Sequence, residues 1–305
     1  MFSQYHIPVL LNMSVEGLNI KPDGIYADLT FGGGGHAEEI LKKLDTGKLF
    51  AFDQDEDVSE RVSELSEKYP ENFIFFQANF EYFSNFLRYA GYKKIDGILA
   101  DLGVSSHQFN SENRGFSFRF GGTPDMRMNR NAQKSSSDIL NEYDENKLAH
   151  IFKTYGELKS AKKLASAIVE KRKSREINSL EYFNEIIDSV IKTEKKNKIY
   201  AKIYQALRIE TNNETETLKN MLLQTATGLV SGGRLVVLSY HSLEDRLVKN
   251  YIKFNDFEGK EKKDIYGNSE KLFKEISKKV IVPDEEEIKK NNRARSAKLR
   301  IAERI

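Results

Sequence analysis

Between Gly24 and Gly103 short apolar runs alternate with amphipathic segments, and this alternation restricts the fold more than any other feature of the chain. GIYADLTF, KLFAFDQD, NFIFFQAN and KIDGILADLG read as strands. AEEILKKL, VSERVSELSEKY and YFSNFLRYAG, which separate them, read as helices, the second with Val58, Val62 and Leu65 at helical spacing. Strands alternating with helices form βαβ units and build a parallel sheet. The strands are continuously apolar instead of alternating, which is the pattern of a sheet covered on both faces.

The alternation then stops. SSHQFNSENRGFSFRFGGTPDMRMNRN is a long irregular stretch rich in arginine and phenylalanine, and a loop of that length inside a compact domain is usually functional. Leu148, Ile151, Phe152 and Tyr155 keep helical spacing, as do Ala161, Leu164, Ala165 and Ile168, and again Tyr182, Phe183, Ile186, Ile187 and Val190. No strand is expected from 135 to 208. The α/β pattern resumes with the helix TETLKNMLLQTATGLVSGG, for which Gly232 and Gly233 are the expected C-cap. The strand RLVVLSYHS, the helix LEDRLVKNYIKF and two late strands, KKVIVP and AKLRIAER, complete it. FEGKEKKDIYGNSEK reads as a surface loop. The expected fold class is thus α/β, a doubly wound, mostly parallel sheet formed by residues 1–110 and 209–305, interrupted at 111–208 by a loop and an all-helical subdomain.

The bulk properties bound the function. No apolar run approaches the roughly 20 residues of a membrane span, and MFSQYHIPVLLNMSVEGL has neither a basic n-region nor a small-residue cleavage site, so a cytoplasmic location is expected. The chain has no cysteine, which removes disulfides, thiolate metal sites and a cysteine nucleophile. Its five histidines, His6, His36, His107, His150 and His241, are scattered and form no zinc pattern. A net charge of +2 neither demands nor forbids a nucleic-acid partner.

The stretch DLTFGGGGHAEEI sets four glycines, Gly32 to Gly35, between the first strand and the first helix. A Walker A loop requires a lysine and then a hydroxyl residue after its last glycine. His36 and Ala37 stand there instead. Gly32, Gly34 and Ala37 satisfy the dinucleotide pattern GxGxxG/A, and Asp53 ends the second strand where a ribose-binding acid belongs. That carboxylate serves any adenosine ligand equally. S-adenosylmethionine is the other reading: Asp28 precedes the loop, Asp53 ends strand two and Asp101 ends strand four, beside the methyl. The bland alternative is that the glycines make a turn and the aspartates cap helices, with Asp53, Asp55 and Asp57 in a solvated loop.

The strings HIPVLL, DLTFGGGGHAEEIL, AFDQD, DGILADLGVSSHQF, RGFSFR, PDMRM, FKTYGELKSAKKLASAIVEKR, YQALRIETNNE, GGRLVVLSYHSLEDRLVK and NRARSAKLRIAER follow one another over nearly the whole chain. In that order they resemble the bacterial 16S ribosomal RNA cytosine-N4 methyltransferase family, RsmH or MraW. The resemblance implies the S-adenosylmethionine-dependent methyltransferase fold, S-adenosylmethionine as methyl donor without a metal, and transfer to the exocyclic N4 of a cytidine in the decoding centre of 16S ribosomal RNA, within the small ribosomal subunit. It implies donor contacts from Gly34, Gly35, His36, Asp53, Phe80, Asp101 and Gln108, all present here, and leaves room for a homodimer. Three positions depart from the family pattern: Lys202 and Tyr204 in AKIYQALRI, and Asn292 where a proline is usual. Lysine at 202 lacks the bidentate fork of arginine.

Methyl transfer from a sulfonium is an in-line displacement in which alignment supplies most of the catalysis. Methylation at cytosine C5 needs a cysteine added to C6, so the absence of cysteine closes that route and leaves N4 open. A hydrogen-bond acceptor on the amino group would aim its lone pair, and Asp101 is the catalytic candidate, with the carbonyls of Leu102 and Gly103 as rivals. The target base must leave its stack. Arg114, Phe116, Phe118, Arg119, Phe120, Arg127 and Arg130 form the expected RNA-facing loop, unless its phenylalanines pack into a core; Arg293 and Arg295, with Lys298 and Arg300, form a second basic set. In SYHSLEDR, Ser242, His241 and Asp245 are too close in sequence for a hydrolase triad. Ser242 with Asp245 reads as a capping-box-like helix start, and Tyr240 with His241 as a lining for the cytosine pocket. A nicotinamide-dependent oxidoreductase and a catalytically silent RNA-binding assembly factor are the competing classes.

Overall fold

The computed structural model describes residues 8–261, 271–277 and 279–305. His6 and Ile7 of HIPVLL, most of the surface-loop stretch FEGKEKKDIYGNSEK and the first lysine of KKVIVP lie outside the described residues. The chain divides into two units, one made of Met1–Gly103 with Glu216–Ile305 and the other of Val104–Thr215. The second unit runs beyond 111–208 at both ends, and at its C-terminal end the last insert helix continues past Arg208 to Thr211.

In chain order the first unit runs α1 (Leu11–Gly17), β1 (Ile25–Asp28), α2 (Gly35–Leu41), β2 (Lys48–Asp53), α3 (Ser59–Lys68), β3 (Phe73–Gln77), α4 (Phe83–Tyr89) and β4 (Ile95–Asp101). The second unit follows with α5 (Ser106–Asn110), α6 (Ser136–Glu142), α7 (Glu145–Thr154), α8 (Ala161–Arg172), α9 (Leu180–Val190) and α10 (Lys196–Thr211). The chain returns through α11 (Glu214–Gly228), β5 (Leu229–Ser239), α12 (Ser242–Phe254), β6 (Phe273–Glu275), α13 (Glu285–Lys290) and β7 (Lys298–Arg304). No helix among the described residues is long and apolar enough to cross a membrane.

The strands form one seven-stranded sheet in the order β3-β2-β1-β4-β5-β7-β6. β1 to β5 are mutually parallel, while β7 runs antiparallel to both β5 and β6. Leu49, Phe50, Ala51 and Phe52 of β2 and Ile98, Leu99 and Ala100 of β4 are wholly buried, as strands covered on both faces require. The order reverses between β1 and β4. In open α/β sheets a ligand binds outside the carboxyl ends of the strands at such a switch point.

Two late features differ from the sequence reading. Gly232 and Gly233 do not cap α11, which ends at Gly228; they lie within β5. There the register with β4 jumps from Ile95↔Leu229 to Gly97↔Arg234, and Gly232 takes φ +81° in the resulting irregularity. The described residues of KKVIVP contribute an isolated bridge, Ile281 to Leu299, and on the side away from β5 the antiparallel partner of β7 is the short β6.

The second unit has its own apolar core, and its described elements are helices and loops. Leu148, Ile151 and Phe152 of α7, Leu164, Ala165 and Ile168 of α8, and Phe183, Ile186 and Ile187 of α9 are at most 1% exposed. Each of these leucine, isoleucine and phenylalanine side chains contributes about 1.5–3 kcal/mol of burial free energy.

Candidate functional site

The site at the switch point is built from the ends of β1, β2, β4 and β5. Asp28 closes β1 and is fully buried; its Oδ1 accepts the Thr30 N–H at 3.1 Å and its Oδ2 has no hydrogen-bond partner. The chain then turns through the glycines. Gly32 takes φ +50° and Gly34 φ +70°, a region where a Cβ is penalised. A Cβ on Gly34 would lie 2.8 Å from the Phe31 ring, and one on Gly35 would collide with Pro8. Part of the glycine requirement is therefore the packing of the loop itself.

Asp53, at the end of β2, holds this loop. Its Oδ2 accepts the Gly32 N–H at 2.8 Å and its Oδ1 the Asp55 N–H at 3.0 Å. Asp55 caps the 3-10 turn Glu56–Val58, accepting the Asp57 N–H at 3.1 Å. The three acids proposed as one solvated loop thus divide their roles, and Asp55 is buried. Phe80 opens a 3-10 turn after β3 and packs partly buried against the sheet core.

Asp101 ends β4. Its N–H donates to Thr30 Oγ1 at 2.6 Å, which ties β4 to the loop after β1. Its Oδ1 accepts the Tyr240 hydroxyl at 2.8 Å, and its Oδ2 lies 3.9 Å from His36 Nδ1. The side chain keeps 23% of its surface exposed. His36 is 5% exposed, and its Nε2 has no hydrogen-bond partner. Burial pushes its pKa down to about 4, so the imidazole is neutral at physiological pH.

The electrostatics are one-sided. Burial pushes Asp28 and Asp101 up to about 7 and Asp53 up to about 6, against the partial relief of their hydrogen bonds. Among the described residues no lysine or arginine pairs with any of the three. An anionic floor of this kind suits a cationic ligand. It opposes the pyrophosphate of a dinucleotide, and the S-adenosylmethionine sulfonium fits it. A cationic donor binds best to the ionised carboxyls, so its affinity is expected to strengthen about tenfold between pH 6 and pH 8 as one proton is displaced. Calorimetric titration at several pH values and in buffers of different ionisation enthalpy measures both the affinity and the released proton; a flat profile would contradict this electrostatic account.

The remaining candidates are placed as follows. Gln108, in the second unit, is buried and closes a capping box: its Oε1 accepts the Ser105 N–H at 3.0 Å, and its own N–H donates to Ser105 Oγ at 3.1 Å. Arg114 and Phe116 turn inward, at 4% and 5% exposure. The Arg114 guanidinium donates to the carbonyls of Arg127 and Met128 at 3.1 and 3.2 Å and sits over the Phe116 ring. Arg127 is held by Asp125 in a bidentate pair, both bonds 2.8 Å, and donates to the Ala132 carbonyl. These three residues build the loop rather than extend from it. Phe118 packs against Tyr200 and Tyr204, with ring centroids 5.4 and 5.8 Å apart, and Phe120 is partly buried. Arg119 and Arg130 are exposed, as are Arg293 and Arg295 on the 3-10 turn before β7. Lys298 and Arg300 are paired with Asp245, at 3.1 and 2.7 Å.

Sequence reasoning missed several residues. The cap of α12 is His241, whose Nδ1 accepts the Glu244 N–H, and not Ser242; Asp245 is committed to Lys298 and Arg300 instead. Asn212 clamps the arginine-rich loop to the end of α10: its Oδ1 accepts the Met128 N–H and its Nδ2 donates to the Met126 carbonyl, both at 2.7 Å. Met126 is held at φ +58° between these bonds. The only sequence signal was Asn212's place in RIETNNE. Of the departures, Tyr204 donates its hydroxyl to Asn184 Oδ1 at 2.9 Å, Lys202 lies 3.7 Å from Glu157, and Asn292 is exposed.

A doubly wound sheet with a seventh strand inserted antiparallel beside the fifth, a glycine loop after β1 and acids at the ends of β1, β2 and β4 defines the Rossmann-like methyltransferase class. The comparison with known sequences narrows this. The chain belongs to the MraW methylase family, whose profile matches residues 3–305. It is 54% identical, over 98% of its length and 97% of the relative's, to the ribosomal RNA small subunit methyltransferase H of Phocaeicola vulgatus. It is 53% identical to the protein of that name from Bacteroides thetaiotaomicron, with the same coverage, and 52% identical to that from Parabacteroides distasonis, over 99% of this chain and 98% of the relative.

Proposed function

We propose that the chain transfers a methyl group from S-adenosylmethionine to the exocyclic N4 of a cytidine in the decoding centre of 16S ribosomal RNA, acting on the small ribosomal subunit. The observation that carries this reading is the set of three carboxyls at the ends of β1, β2 and β4 that have no cationic partner among the described residues, one of them with a buried oxygen that accepts no hydrogen bond. The names of the relatives support ribosomal RNA as substrate. The absence of cysteine supports N4 over C5.

When bound, the donor supplies an electrophilic methyl on a positively charged sulfur. The chain's own residues do the rest. Gly34 and Gly35 would hold the donor with their backbone, Asp53 and Phe80 would bind its adenosine part, and Asp101, with neutral His36 beside it and the buried Asp28 behind, would stabilise its charged end. N4 gains a methyl and must lose a proton. The Asp101 carboxylate accepts that proton, its pKa of about 7 being close to the working pH. The exposed Arg119, Arg293 and Arg295 take the phosphates, while Arg114, Phe116 and Arg127 keep the loop in shape.

Thermal melting with S-adenosylmethionine and with NAD separates the donor from the dinucleotide: a rise of several degrees is expected with the first only. Mass spectrometry of 16S RNA from a deletion strain then tests the reaction. Loss of one N4-methylcytidine mark, restored by the wild-type chain and not by Asp101→Ala, is expected. A deletion strain that retains every such mark would overturn the reading.

A further inference from the structure

We propose that Tyr240 is a positioning residue for methyl transfer: its hydroxyl pins one oxygen of Asp101 so that the other, Oδ2, is presented to the amino group that accepts the methyl. The inference rests on the function proposed above and gives Tyr240 a different task from lining the base pocket.

The geometry is specific. The two residues are 139 positions apart, and the hydroxyl donates to Asp101 Oδ1 at 2.8 Å. A carboxylate on its own rotates about its last bond, but this one is fixed by a bond to a single oxygen. Tyr240 is itself fixed at its main chain. Its N–H donates to Glu244 Oε2 at 3.0 Å, and Glu244, 6% exposed in the first turn of α12, donates its own N–H to the His241 cap. The ring lies beside Gly103, where a Cβ would stand 3.6 Å from Tyr240 Cδ2 and where φ is +104°. SYHSLE is therefore a bracket that aims one phenol at one carboxylate. The hydroxyl occupies Oδ1, which leaves Oδ2, 3.9 Å from His36 Nδ1, as the oxygen to act.

The charges around the pair give the phenol a second effect. Asp101 faces Asp28 from β1, neutral His36 from α2 and Glu244 from α12, and Tyr240 also faces Glu287 of α13. Apart from the hydroxyl and the imidazole, these neighbours are carboxyls. The Tyr240 hydrogen bond opposes their effect and lowers the Asp101 pKa, while burial and the Asp101 charge keep the phenol protonated and donating. In the reaction the N–C bond forms, the carbon–sulfur bond breaks with its electron pair going to sulfur, and one amino proton passes to Oδ2. An ionised, fixed Asp101 is what that last transfer needs.

The test is Tyr240→Phe, with Tyr240→Ala beside it, assayed on methyl-deficient small-subunit particles. The phenylalanine variant is expected to lose about 10- to 100-fold in kcat, with the particle KM within threefold of wild type and the acid limb of the kcat profile moved to higher pH. A Tyr240→Phe enzyme with wild-type kcat and pH profile, with only Tyr240→Ala raising KM, would overturn the proposal in favour of base stacking. In an Asp101→Asn background Tyr240→Phe should cost nothing further, and a full additional loss there also overturns it. An assay-independent measurement is NMR titration of the Asp101 carboxyl carbon: Tyr240→Phe should raise its pKa. If wild-type protein fails to methylate the particles, the function proposed above falls, and the titration still decides whether Tyr240 governs Asp101.

Discussion

Asp101→Asn is expected to slow methyl transfer by about 100- to 1,000-fold, the cost of removing a general base. The substitution is nearly isosteric, and the local fold should survive it. The Asp101 N–H bond to Thr30 Oγ1 is made by the main chain, and an asparagine Oδ1 still accepts the Tyr240 hydroxyl. What is lost is the negative charge and the capacity to take a proton. In the function proposed above that charge faces the donor, so donor affinity should also weaken by about tenfold, roughly 1.4 kcal/mol, and Asp101→Ala should show the same split. Single-turnover rates at saturating donor measure the chemical step apart from binding. Rates within twofold of wild type for both variants would remove Asp101 from the mechanism and return the role to the Leu102 or Gly103 carbonyl.

Much of this site was legible in the sequence because its parts are local. Apolar runs ending in Asp28, Asp53 and Asp101 mark strand ends, and a glycine run between a strand and a helix marks the loop. The insert helices were legible for the same reason, since Leu148, Ile151 and Phe152 share a face that spacing alone reveals. What could not be read was long-range. The Tyr240–Asp101 bond and the Asn212 clamp join residues far apart in the chain. Arg114 and Arg127 look like RNA contacts by residue type, yet each is satisfied by the loop's own carbonyls or by Asp125. Gly232 and Gly233 read as a helix C-cap, because the strand irregularity puts Gly232 at the same positive φ. β6 has only three residues, and its existence depends on β7 lying alongside.

Asp28→Asn is expected to make the donor-free protein more stable at pH 8 and no more stable at pH 4, while weakening donor binding. Asp28 is fully buried, and its pKa is raised from 3.8 to about 7, mainly by loss of water and further by the Asp101 and Asp53 charges. A carboxyl with a raised folded pKa binds its proton more tightly in the folded chain than in the unfolded one. Its favourable contribution is therefore complete below about pH 4 and is lost as the pH rises through about 7. At pH 8 the ionised group costs up to about 4 kcal/mol, at about 1.4 kcal/mol per tenfold change. Asparagine escapes this, since its Oδ1 can keep the Thr30 N–H bond and no charge is buried. Even half of that figure, about 2 kcal/mol, corresponds to about 5 °C in Tm for a unit of this size. Melting curves of the two proteins across this pH range should thus diverge as pH rises, and a constant difference, or a less stable variant at pH 8, would show that Asp28 is not the strained charge. In the proposed function the same charge gains from the donor: a nearby cation favours the ionised form of a buried carboxyl whose Oδ2 has no hydrogen-bond partner. Adding S-adenosylmethionine at pH 8 should therefore raise the Tm of the wild type more than that of Asp28→Asn, and stability surrendered by the empty site reappears as affinity for the donor.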